Sequence, residues 1–154
     1  GLDIPTKVSI TDRKSFNIVL ASRADFVNVW SRSPRWVGHW RISLYRWMIY
    51  SHLGRERPLA AVWISIPGLP LPLMHESFLN AIGVSLWSFL CADVQTSPME
   101  ELSVARICVE NDSSRPIPNK IIVRIEGMQD RIKALFYPVY PRFCSFCKIS
   151  GHSL

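Results

Sequence analysis

Two short β-prone runs, Val8 to Thr11 and Phe16 to Ala21, flank the polar stretch Asp12, Arg13, Lys14 and Ser15, which predicts a hairpin. Ser22 then stands where a helix cap belongs. Asp25 falls in the first turn, and Phe26, Val27 and Trp30 share one apolar face before Ser33-Pro34 ends the helix. From Trp36 to Trp47 the period changes to two. Trp36, Trp40, Ile42 and Leu44 occupy one parity, His39, Arg41, Ser43 and Tyr45 the other. A single half-buried strand is expected there, with Trp36 and Trp40 in the core.

A polar loop from Ser51 to Pro58 precedes a β-run at Ala61 to Ile66. Next comes Pro67-Gly68-Leu69-Pro70-Leu71-Pro72, whose prolines exclude regular helix and predict a stiff connector between two halves. Phe78, Leu79, Ile82 and Leu86 give Ser77 to Leu86 the spacing of a short amphipathic helix. Strands are expected near 88–94, 103–110, 119–126 and 132–137, with Pro116 and Pro118 marking a turn. The fold class read from this order is α+β, with an antiparallel sheet in at least the second half.

Composition narrows the partners. The chain has 154 residues, 48% of them hydrophobic, enough for one core or one core with a small satellite. Lysine and arginine outnumber aspartate and glutamate by 18 to 12, a net charge of +6 that favours polyanionic partners over acidic-surface repulsion. No charged, apolar and small-residue leader pattern opens the sequence, and the apolar stretch Phe78 to Val94 is broken by Asn80, Gly83, Ser85 and Ser88. An intracellular protein, nuclear or cytoplasmic, without a membrane role is therefore expected. Two of the four cysteines form a CxxC; Cys91 and Cys108 read as small buried apolar residues.

The sharpest chemistry lies at Cys144, Cys147 and His152, the first three ligands of a CxxCxxxxHxxxxC zinc knuckle. Two thiolates and an imidazole suit tetrahedral Zn²⁺, and Gly151 allows the tight turn before the histidine. At that spacing the fourth ligand falls three residues past Leu154, so an incomplete site is expected. Phe143 and Phe146, beside the cysteines, either stack unpaired bases or pad the knuckle's junction.

Between Trp30 and Trp47, arginines alternate with aromatics, a pairing that follows a phosphate backbone while offering ring faces to bases. With Trp36 and Trp40 assigned to the core, the expected contact residues are Arg32, Arg35, His39, Arg41, Tyr45 and Arg46, joined at the knuckle by Phe146 and Lys148. The run Lys14 to Ala21 matches the RNA-recognition strand motif only at Lys14, Phe16 and Val19 and reads better as an ordinary strand. No nucleophile elbow, phosphate loop, HExxH helix or paired-carboxylate motif is present, so neither an enzyme nor a small-molecule substrate is expected.

Four segments taken together, VWSRSPRWVGHWRISLYRW, VWISIPGLPLPLMHESFLNAIG, SVARICVENDSSRPIPNKIIVRI and YPRFCSFCKISGHS, resemble a plant domain of unknown function. That domain precedes a CCHC zinc knuckle in LINE-type retrotransposon proteins and their domesticated relatives. The resemblance runs through nearly the whole chain. It implies an RNA-recognition-like (ferredoxin-like) partial sheet over residues 1–57, a Pro-Gly linker and β-rich extension over 58–138, and an incomplete knuckle over 139–154. The family pattern has a further strand and helix before the residues matching Val8 to Thr11, so shortening at both ends is expected. The implied function is binding or chaperoning of single-stranded RNA or DNA, with Zn²⁺ as cofactor. The competing expectations are an assembly module that self-associates through sheet edges, and a decayed retroelement fragment.

Overall fold

A computed structural model describes residues 7–11, 13, 16–33, 35–42, 44–47, 59–95, 104–140, 144 and 146. Its topology is mixed α+β, with small antiparallel sheets and two α-helices, in two compact units, Gly1–Gly54 and Arg55–Leu154.

In the first unit, β1 (Lys7–Ile10) and β2 (Phe16–Val19) form the expected antiparallel hairpin, with Val8 opposite Ile18 and Ile10 opposite Phe16. Helix α1 (Arg23–Ser31) begins where the sequence places its cap. The Ser22 hydroxyl accepts the Asp25 N–H at 3.1 Å and donates to the Asp25 carboxylate at 2.6 Å. Such a cap is worth about 1 kcal/mol. The helix buries Val29 and Trp30, and Phe26 stacks on Trp30 with ring centroids 5.7 Å apart.

The segment read as one strand from Trp36 to Trp47 is instead a tight hairpin, β3 (Arg35–Val37) and β4 (Trp40–Ile42). Gly38 at φ +59° supplies the left-handed turn residue, and Val37 pairs with Trp40 across it. The turn cancels the even-residue parity on which the core assignment of Trp36 and Trp40 rested. Trp36 now shares a face with its cross-strand partner Arg41, while Trp40 lies on the opposite face with Val37.

The second unit is built on a three-stranded antiparallel sheet, order β5-β7-β6, from β5 (Leu59–Pro67), β6 (Ser88–Gln95) and β7 (Val104–Asp112). Central β7 pairs with both neighbours. Ala105, Ile107 and Val109 join Val62, Ile64 and Ile66 of β5 on the face covered by helix α2 (Glu76–Leu86), whose Leu79 and Ile82 complete the core. Each fully buried aliphatic side chain here contributes about 1.5–3 kcal/mol relative to exposure. The Pro67–Pro72 segment lies within this unit. Gly68 turns it at φ +64°, and Leu71–Met74 form a 3₁₀ turn leading into α2.

Helix α2 approaches β6 closely at Gly83, where an added Cβ would lie 2.5 Å from Phe89 Cδ2. Beyond the sheet, β8 (Lys120–Val123) and β9 (Arg131–Ala134) form a hairpin closed by an Arg124–Asp130 ion pair at 2.8 Å. The chain then returns to the sheet: Phe136 and Ser65 exchange backbone hydrogen bonds of 2.8 and 3.0 Å along the outer edge of β5. Tyr137 and Tyr140 pack against the core, and buried Asn111 donates its amide N–H to the Tyr140 hydroxyl. Among the described residues, no helix is long and apolar enough to cross a membrane.

Candidate nucleic-acid interface

The β3–β4 hairpin sets the geometry of the candidate site. Because the turn takes only Gly38 and His39, three residues on either side form a ribbon too narrow to bury a ring between them. The ribbon's tryptophans face solvent, Trp36 at 68% exposure and Trp40 at 79%, and Trp47 beyond β4 is 65% exposed. This overturns the expectation that Trp36 and Trp40 belong to the core. It also adds three large aromatic faces that sequence reasoning had left out of the contact set.

The expected polar contacts surround them. His39 occupies the turn and is exposed; Arg41 is exposed and sits directly across from Trp36. Arg35 holds the register position opposite Ile42. Arg32 lies exposed at the C-terminal end of α1. After β4, the Leu44 N–H donates to Ser33 Oγ at 3.2 Å, which ties the following residues to the end of the helix. Tyr45 is exposed there, and the Arg46 guanidinium lies 5.7 Å from the Phe26 ring centroid, a cation–π distance. Arg46 thus already has an aromatic partner, whereas the Trp36–Arg41 pair presents both an open ring and an exposed cation.

Charge is distributed unevenly between the units. The first holds eight lysines and arginines against three aspartates and glutamates, a balance of +5; the second holds ten against nine, a balance of +1. Nearly all the net positive charge therefore belongs to the unit that carries the exposed tryptophans. That is the arrangement a single-strand binder uses, with electrostatic attraction to the backbone and ring faces for the bases.

Of the four described arginines of the second unit, Arg106, Arg115 and Arg124 are engaged. Arg106 lies 4.9 Å from the Trp63 ring centroid and 4.0 Å from the Asp93 carboxylate, and Arg115 is 3.6 Å from Asp112. Burial pushes the Tyr137 hydroxyl up to about 12, helped by the neighbouring Tyr140; it donates to the Pro118 carbonyl at 2.6 Å. Tyr140 is also raised, chiefly by burial, against opposing hydrogen bonds from Asn111 and Ser113. A shallow groove of about 440 Å³ lined by Leu86, Trp87, Arg115, Pro116, Ile117 and Pro118 lies on the same unit.

Of the expected zinc ligands, Cys144 is buried at 2% exposure, and Phe146 beside it is 83% exposed. Cys147, Lys148 and His152 lie outside the described residues. Among the described residues, no three His, Cys, Asp or Glu side chains gather into a metal-binding group.

No protein-family model matches the chain, and neither a curated protein nor a solved structure does.

Proposed function

We propose that the chain binds single-stranded nucleic acid, RNA foremost, through the β3–β4 hairpin and its flanks. The observation that carries this reading is the exposure of Trp36, Trp40 and Trp47 within the unit that holds a charge balance of +5. An exposed indole costs solvation in the unbound protein and gains about 1–3 kcal/mol when a base stacks on it. Arg41 places a phosphate ligand beside Trp36; Arg32, Arg35 and Arg46 extend the basic track, with His39 and Tyr45 as further contacts.

The resemblance to the retroelement domain agrees with this reading and adds a zinc knuckle at the other end of the chain. Cys144, Cys147 and His152 would hold the ion, whose part is to fix the loop that displays Phe146 and Lys148. Two thiolates and one imidazole are the right donors for Zn²⁺.

Fluorescence anisotropy with a labelled single-stranded RNA tests the reading. With three to four arginine–phosphate contacts, the logarithm of the binding constant should fall with the logarithm of salt at a slope of about −2 to −3. Absence of any salt-sensitive binding at low ionic strength, to RNA or DNA, overturns it.

One observation favours a second reading, an assembly module. The β1–β2 ribbon exposes Val8, Ile10, Phe16 and Val19, more apolar surface than a solvated hairpin needs. A defined oligomer in light scattering that neither binds nor responds to nucleic acid would support assembly instead.

A further inference from the structure

Strands β6 and β7 set Cys91 directly opposite Cys108 in an antiparallel ladder. Both project from the sheet face that α2 does not cover, since the neighbouring ladder positions Phe89, Ala92, Ile107 and Val109 contribute to the core on the α2 side. The two thiols are close enough to perturb one another. Cys108 is fully buried, whereas Cys91 is partly exposed.

The backbone geometry suits a covalent bond between them. Residues opposed in an antiparallel pair have Cα atoms about 4.5–5.5 Å apart, inside the range a disulfide spans. Their Cβ atoms, typically about 4.5–5.5 Å apart, must approach by up to an ångström to reach the usual disulfide separation. Two features of β6 allow that approach. Among the described residues it is an edge strand paired with β7 alone, and its register slips between Phe89 and Cys91, immediately before the cysteine. A β-bulge of this kind loosens and twists the ladder locally.

We propose that Cys91 and Cys108 are a peroxide-sensitive dithiol, a reversible modification site in the second unit that is independent of the nucleic-acid reading. Hydrogen peroxide oxidises the accessible Cys91 thiol to a sulfenic acid and releases one water. The Cys108 sulfur then attacks the Cys91 sulfur, the S–O bond breaks, and the departing oxygen leaves as a second water with the Cys108 proton. Two thiols and one peroxide thus give one disulfide and two waters. The order follows from the environment of each group. The hydrogen bond to Cys91 and burial hold the Cys108 thiol far above its ordinary value, against a smaller opposing effect of Arg106, so Cys108 does not initiate; its register position opposite Cys91 makes it the group that condenses with the sulfenic acid.

Peptide mapping decides the matter. The reduced full chain is exposed to hydrogen peroxide, denatured, alkylated, digested without reductant and analysed by mass spectrometry. A peptide cross-linked between Cys91 and Cys108, lighter by two hydrogens and restored by dithiothreitol, is expected in the wild-type chain. In Cys108→Ser the Cys91 sulfenic acid should persist and be trapped by dimedone, while in Cys91→Ser the Cys108 thiol should stay unmodified. The oxidised wild type should melt a few degrees higher, since the bond closes the β6–β7 loop. Equal alkylation of Cys91 and Cys108 before and after peroxide overturns the proposal. So does a disulfide confined to Cys144 and Cys147. Both are read on the wild-type chain, so neither depends on a variant folding.

Discussion

Replacing Trp36 by alanine separates stability from binding. A tryptophan buried in a core costs about 3–5 kcal/mol on truncation to alanine. Trp36 is 68% exposed, so roughly a third of its surface contributes, and the expected loss of stability is about 1 kcal/mol. The loss of a stacking platform is larger for the ligand than for the fold: about 1–3 kcal/mol, a five- to 150-fold rise in Kd for a single-stranded oligonucleotide. Because Arg41 is its cross-strand partner on the same face, Trp36→Ala and Arg41→Ala should be coupled, their double variant losing less than the sum by at least about 0.5 kcal/mol. Trp40 is on the other face of the ribbon, so its effect should add independently to that of Trp36. Chemical denaturation gives the stabilities, and anisotropy titrations at low, fixed salt give the affinities. A stability loss above about 3 kcal/mol for Trp36→Ala would show the ring to be core and refute the hairpin geometry. Unchanged affinity in both single variants and in the Trp36→Ala/Trp40→Ala pair would refute stacking on this hairpin.

Gly83→Ala gains about 1 kcal/mol of helix propensity but drives a Cβ to 2.5 Å from Phe89 Cδ2, so denaturant melts should show a net loss of about 1–2 kcal/mol. In a Phe89→Ala background, which keeps only the Cβ at 3.1 Å, the loss caused by the same change should shrink; equal losses in both backgrounds would remove α2 from its place on β6. Tyr137 has its hydroxyl raised to about 12, above its unfolded value, so its contribution is fully present below about pH 10 and is lost as pH rises from there through about 12. A tyrosinate absorbance titration should show late-ionising tyrosines that move to ordinary values on unfolding, and Tyr137→Phe should remove the component near 12 while leaving the raised Tyr140. Zinc titration with a competing colorimetric chelator should show binding that is lost in Cys147→Ser and His152→Ala, with no change in the melting of the first unit. Retention of zinc in both variants would separate the ion from the knuckle.

Local signals were legible without a structure. The Ser22 cap, the β1–β2 hairpin and helix α2 each depend on residues within a few positions of one another, and each was readable from spacing. The strands of the second unit were also readable, because β5 and β7 are β-prone apolar runs, and in the fold they bury Val62, Ile64 and Ile66 and Ala105, Ile107 and Val109 on one face. Period-two reading failed between Trp36 and Trp47, where a Gly-His turn interrupts the count; a glycine at the first turn position was the signal that pointed to it. The family resemblance rests on the ordered combination of sequence motifs, and of the knuckle's residues Cys147, Lys148 and His152 lie outside the described residues.

By itself, the sequence determined what short-range chemistry determines: where helices start, which strand faces are apolar, the charge that favours polyanions and the donor types that favour zinc. Tertiary structure decided what requires distant residues to meet. Cys91 and Cys108 were two unrelated small residues until the β6–β7 register set them side by side. Trp36 and Trp40 changed from core to surface because a two-residue turn reset the parity of the chain. Period and capping act within one element, whereas register and exposure are fixed only when that element finds its partner.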